Sequence, residues 1–164
     1  MPGKARHGEG EIRYESGSTY TGQWERDKRA GKGKFTFACG DVYEGEWKEN
    51  KYHGHGKYSF AGGDVYEGGY VADKKHGRGK MTFADGNSYE GEWAEDKQHG
   101  KGRYTYDDGE VEVGCYEAGA DVGQGVKWSA DRTEAWELQD GEVVRGIPLD
   151  EAAQIAARIG LPPP

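Results

Sequence analysis

Tyr43-Glu44-Gly45-Glu46-Trp47-Lys48-Glu49-Asn50-Lys51-Tyr52-His53-Gly54-His55-Gly56 is the stretch that decides the fold of this chain. From Tyr43 to Trp47 the odd positions carry Tyr, Gly and Trp, and the even ones carry Glu. Further on, Gly54, Gly56, Tyr58 and Phe60 share one side, and His55, Lys57 and Ser59 share the other. A period of two is the mark of a strand, so the stretch predicts two strands with one aromatic-and-glycine face and one charged face. Ala84-Asp85-Gly86-Asn87 suits a tight hairpin turn, because glycine tolerates positive φ. The longer Glu49-to-His53 segment is expected to join the two strands inside a unit, with Glu46 and Lys57 pairing across them.

The pattern recurs with a period of 23 residues. Tyr20, Tyr43, Tyr66 and Tyr89 fall in one column, and Trp24, Trp47, Tyr70 and Trp93 in another. Tyr14, Phe37, Phe60, Phe83 and Tyr106 make a third, and Gly33, Gly56, Gly79 and Gly102 a fourth. The predicted fold is therefore all-β: an elongated, single-layer antiparallel sheet of stacked 23-residue β-hairpin repeats. At roughly 4.8 Å per strand the array spans about 55–60 Å.

Composition agrees with a thin sheet. Leu, Ile, Val and Phe supply only 20 of 164 residues and the net charge is −8, too little apolar material for an ordinary core. Yet there are 11 Tyr, 5 Trp and 29 Gly, so rings packed over glycines can replace it. Cys39 and Cys115 stand more than three repeats apart, about 30 Å, too far for a disulfide. That spacing and the lack of a long apolar run lead to the expectation of a cytoplasmic protein with neither signal peptide nor membrane span.

Residues 1–7 are expected to form an N-terminal tail, 8–147 the array, degenerate from about 111, and 148–164 a helix with a proline tail. Trp128 and Trp136 fall outside the register. A strand near 125–129 and a hairpin around Asp140-Gly141, joining 133–138 to 142–147, are predicted. Leu149, Ala152, Ala156 and Ile159 then make one face of a short capping helix stopped by Gly160.

The Tyr-x-Gly-x-Trp stretch followed by Gly-x-Gly, seen at Tyr43–Gly56 and again at Tyr89–Trp93 with His99-Gly100-Lys101-Gly102, resembles the MORN (membrane occupation and recognition nexus) repeat. The resemblance covers about residues 8–125 and implies a hairpin array with a groove-like aromatic face. It also implies a scaffold role in cytoskeletal, ciliary or membrane-contact structures.

Chemistry is sparse. His7, His53, His76 and His99 share a column whose members stand about 10 Å apart, too far to hold one ion, so no metal or other cofactor is expected. Repeated glutamates offer no pair of unlike carboxyls for acid–base work, and no nucleophile has a positioned base, so no enzyme activity is expected. The expected binding groove is formed by Tyr20, Trp24, Tyr43, Trp47, Tyr66, Tyr70, Tyr89 and Trp93, open to a helix or extended peptide of a partner protein. The alternative is a phosphoinositide or anionic-lipid adaptor using a basic band of Lys51, Lys74, Lys75, Arg78, Lys97 and Lys101. A homodimer through the array ends fits the architecture. Nucleic acid is disfavoured by the acidic balance, and an aromatic-ladder carbohydrate binder by the ring spacing.

Overall fold

The computed structural model describes residues 5–164. Thirteen strands form one antiparallel sheet in chain order, each paired with its sequence neighbour. They are β1 (Gly8–Arg13), β2 (Thr19–Glu25), β3 (Lys28–Thr36), β4 (Val42–Lys48), β5 (Lys51–Ser59), β6 (Val65–Val71) and β7 (Lys74–Thr82). Then come β8 (Ser88–Ala94), β9 (Lys97–Thr105), β10 (Val111–Glu117), β11 (Ala120–Trp128), β12 (Ala135–Gln139) and β13 (Glu142–Ile147), followed by helix α1 (Leu149–Ile159). Of the expected N-terminal tail, residues 1–4 lie outside the described residues. Arg6 is held: its N–H donates to Asp27 and its guanidinium lies 4.5 Å from the centre of a Trp24 ring.

The two kinds of turn are the reverse of the sequence expectation. Inside each unit the strands are joined by two residues, Arg26-Asp27, Glu49-Asn50, Ala72-Asp73 or Glu95-Asp96, all at positive φ. That is a type I′ hairpin, whose twist suits the flanking strands. Between units run the longer loops, such as Phe83 to Asn87, closed by Gly86 N–H on the Phe83 carbonyl. Sequence favours the glycine-bearing loop as the tight turn because no glycine marks Glu49-Asn50. The second turn residue is Asp or Asn, which tolerates the left-handed region and has a second use. The side-chain oxygens of Asp27, Asn50, Asp73 and Asp96 accept the N–H of Arg6, Arg29, Tyr52 and Lys75 at 2.8–2.9 Å, tying each turn to the preceding repeat.

Glycine acts in two ways. The register shifts between Gly45 and Trp47, bulging β5 at Gly54, whose φ is 63°. The Glu46 carboxylate accepts the His55 N–H at 3.0 Å across this bulge. Glu46 therefore caps the bulge, and Lys57 faces Glu44 and Glu67 instead. The second glycine of the Gly-x-Gly in β3, β5, β7 and β9 lies under a tyrosine ring. A Cβ at Gly56 would stand 2.4 Å from the Tyr43 hydroxyl and 2.6 Å from its ring carbons.

On that face nine rings, Trp24, Tyr20, Trp47, Tyr43, Tyr70, Tyr66, Trp93, Tyr89 and Tyr116, form an unbroken edge-to-face zigzag with centroids 5.1–5.3 Å apart. Such contacts contribute about 1 kcal/mol each beyond area burial. The hydroxyls of Tyr20, Tyr43, Tyr66 and Tyr89 each donate to the carbonyl three residues on, as from Tyr43 to Glu46 at 2.8 Å. Trp47 Nε1 donates to the Gly33 carbonyl of the preceding repeat at 3.0 Å.

The last units move the core to the other face. Val113 and Val126 stand where earlier repeats carry charges, and they pack with Trp128, Ala135 and Ile147 against Ala152, Ile155 and Ala156 of α1. The helix thus lies on the charged face over β10, β11 and β12, with Gly160 in the left-handed conformation ending it. Leu149, expected on the buried stripe, is exposed, and Ile155 is buried in its place. The predicted strand near 125–129 is the end of the longer β11.

Candidate functional site

The ring face is where sequence placed the groove. Tyr20, Tyr43, Tyr66 and Tyr89 are 0 % exposed, and Trp24, Trp47, Tyr70 and Trp93 are at most 7 % exposed. The expectation that these eight rings stand open to a partner is corrected. The bulged strands carry Arg29, Tyr52 and Lys75 over them: Arg29 lies 4.4 Å from Trp47, Tyr52 stacks on Tyr43 at 3.8 Å, and Lys75 sits 4.8 Å from Trp93. Burial raises the Tyr20 phenol to about 12, with Arg29 opposing, and pushes Tyr43, Tyr66 and Tyr89 further up. These hydroxyls are structural donors.

A different row stays half-buried at the margin of this face. Tyr14, Phe37, Phe60, Phe83 and Tyr106 contribute one ring per repeat beside the between-unit loops. Phe37 rests on Phe35 and Phe60 on Tyr58, each with centroids 4.5 Å apart, so the row is backed by packed rings. The sequence columns contain this row. Its distance from the covering side chains at the opposite hairpin end is the signal that separates it from the buried rings.

The six basic residues are not brought together. Lys51, Lys74 and Lys97 follow the two-residue turns at one margin, with Lys74 ion-paired to Glu95. Lys75 lies over the ring spine, where burial lowers its pKa against the opposing pull of Asp96. Arg78 and Lys101 are on the opposite face.

That opposite face carries a cross-strand ladder of alternating charge: Lys34, Glu44, Lys57, Glu67, Lys80, Glu90 and Arg103 are successive register partners. Over its C-terminal half lies a concavity of about 570 Å³, floored by Gly68, Gly79 and Gly91. Leu161 and Pro162, beyond α1, close one end of it. Sequence reasoning missed this site, although Val113 and Val126 interrupting a charged column were the available signal.

The MORN repeat family model matches residues 4–19, 20–42, 43–65, 66–88 and 89–111, well over half of the chain. No curated protein sequence matches. Among solved structures, the chain is similar to the SAS-4 (dCPAP) TCP domain in complex with a proline-rich motif of Ana2 (dSTIL) of Drosophila melanogaster. That likeness has 14 % identity and a TM-score of 0.48, and covers 84 % of this chain and 81 % of that one. A mutant TCP10 domain of Danio rerio CPAP is similar at 9 % identity and a TM-score of 0.37, with 85 % and 88 % covered. None of the described helices is long and apolar enough to cross a membrane.

Proposed function

Because the chain belongs to the MORN repeat family, we propose that it is a non-catalytic scaffold that seats a helix or extended segment of a partner protein along its ring face. The half-buried row of Tyr14, Phe37, Phe60, Phe83 and Tyr106 supports this reading most. It offers one apolar ring per repeat on a rigid base, and aromatic anchors set at fixed spacing are what an interface needs. The eight buried rings supply the stiffness that keeps the row in line. A cytoplasmic setting suits Cys39 and Cys115, both free thiols. Self-association draws support from β13, the open C-terminal edge, where Val143 and Val144 are exposed. The anionic-lipid reading gains nothing from a basic set scattered over two faces and a margin.

The test is affinity capture from native extract with the wild-type chain beside a Phe37→Ser/Phe60→Ser/Phe83→Ser variant. Bound proteins should be lost from the variant while its circular dichroism keeps the β-sheet signature. The same proteins retained by a folded variant would refute the reading. Substituting Tyr43, Tyr66 or Tyr89 would not serve, since these side chains hold the fold.

A further inference from the structure

We propose that the charged face is a docking track for a proline-rich, polyproline II segment of a partner protein, lying along the rod in line with the chain's own Leu161–Pro164. This surface is separate from the ring-face row, and the proposal does not depend on that row binding anything.

The chain's own tail supplies the first observation. After Gly160 ends α1, Leu161 packs on the cap cluster, and the Arg103 guanidinium donates to the Pro162 carbonyl at 2.5 Å. Pro162, Pro163 and Pro164 each have φ fixed near −65° and no N–H, which favours the polyproline II conformation. In that conformation no carbonyl is used internally, so every one is open to a donor. The 570 Å³ concavity extends from Leu161 and Pro162 across β8, β7 and β6 to His55 of β5.

The second observation is a match of periods. A polyproline II helix repeats every three residues, about 9.3 Å at 3.1 Å per residue. Alternate strands of a sheet stand about 9.6 Å apart. Arg103, Lys80, Lys57 and Lys34 occupy equivalent places on β9, β7, β5 and β3, one per repeat and two strands apart. A segment crossing the strands therefore offers an equivalent carbonyl to one basic side chain per turn. The mismatch of roughly 0.3 Å per turn is well within the reach of a lysine.

Charge and shape agree. Among the described residues neither Lys57 nor Lys80 has a carboxylate within 4.0 Å, whereas Lys34 has Glu44 at 3.9 Å. Lys80, which lines the concavity, and Lys57 in the preceding repeat are thus uncommitted. Glu67 and Glu90 stand half a turn out of phase with them and favour a segment that carries basic residues between its prolines. At Gly68, Gly79 and Gly91 the floor is backbone alone, because a Cβ at each would point to the tyrosine rings of the other face.

The experiment is fluorescence anisotropy of the full chain with a labelled oligoproline of about twelve residues, four turns, that carries two lysines. Saturable binding is expected, weakened about tenfold or more by Lys57→Ala/Lys80→Ala, which removes the donors without adding carboxylates that would attract the probe's lysines, and unchanged by Phe60→Ser. Replacing the prolines of the probe by glycine should weaken it by a similar factor, because the extended form is then no longer preset. Should the double variant melt early, the milder Lys80→Gln alone should still weaken binding measurably. No saturation at about 1 mM probe, equal affinity for the folded charge variants, or equal affinity for the glycine probe would each overturn the proposal.

Discussion

The regular repeats through β9 and the terminal units from β10 share one backbone topology but keep their cores on opposite faces. In the repeats, Tyr and Trp fill one face and charges fill the other. In the terminal units Glu112 takes the place of Tyr43, Tyr66 and Tyr89, while Val113 takes the place of Glu44, Glu67 and Glu90. The ring spine stops at Tyr116, and Leu138 rather than a tyrosine packs against Gly125. Two adjacent residues thus move the apolar side across the sheet and make room for a helix. An array ends by changing face as well as by being covered.

The most disruptive way to break this comparison is at the glycines. A Cβ at Gly45 would stand 2.4 Å from Gly56 Cα and 2.7 Å from the His55 carbonyl, whereas a Cβ at Gly114, in the same repeat column, meets nothing within 4 Å. Gly45→Val should cost about 3 kcal/mol or more in urea unfolding, and Gly114→Ala less than about 1 kcal/mol. Equal costs would refute the role given to the ring face.

Restoring the repeat's own charge at the cap should come next. Val113→Glu puts a carboxylate among Val126, Ile155 and Ala156, all 0 % exposed, and should cost about 2–3 kcal/mol while releasing α1. The helical signal in circular dichroism and proteolysis near Glu151 would report the release.

Glu112 gives a smaller, pH-dependent effect. Burial raises its pKa, with the Tyr106 hydroxyl, which donates at 2.9 Å, opposing. A carboxyl whose folded pKa lies above its unfolded value stabilises the fold most when protonated. Its contribution is complete below the unfolded pKa and is lost as pH rises through the folded one. Glu112→Gln should therefore gain about 1 kcal/mol over the wild type at pH 7 and no advantage near pH 4. A gain of the same size at both pH values would contradict the burial.

Smallest of all is the margin. Glu95→Ala removes the exposed partner of Lys74 and should leave the melting temperature unchanged within error.

The legible part of this molecule was whatever repeats. Four columns at one spacing made the strands, their pairing and the shared face of Tyr43 and Trp47 readable from sequence alone. What escaped depends on backbone geometry without a residue-type marker. Glu49-Asn50 adopts positive φ with no glycine to announce it, so the sequence points to the glycine-bearing loop as the tight turn. The bulge at Gly54 then folds Arg29, Tyr52 and Lys75 over the rings, hiding side chains that a flat sheet would leave exposed. The helix was readable from its own pattern, but its docking face was set by Val113 and Val126, where the repeat had already faded.

Amide hydrogen exchange on the Val113→Glu variant tests the two-faced core most directly. Protection should fall in α1, β12 and β13 and stay at wild-type levels from β2 to β8, because the ring spine does not share that cluster. Uniform loss along the whole sheet, or a helix still protected over a buried charge, would contradict the account.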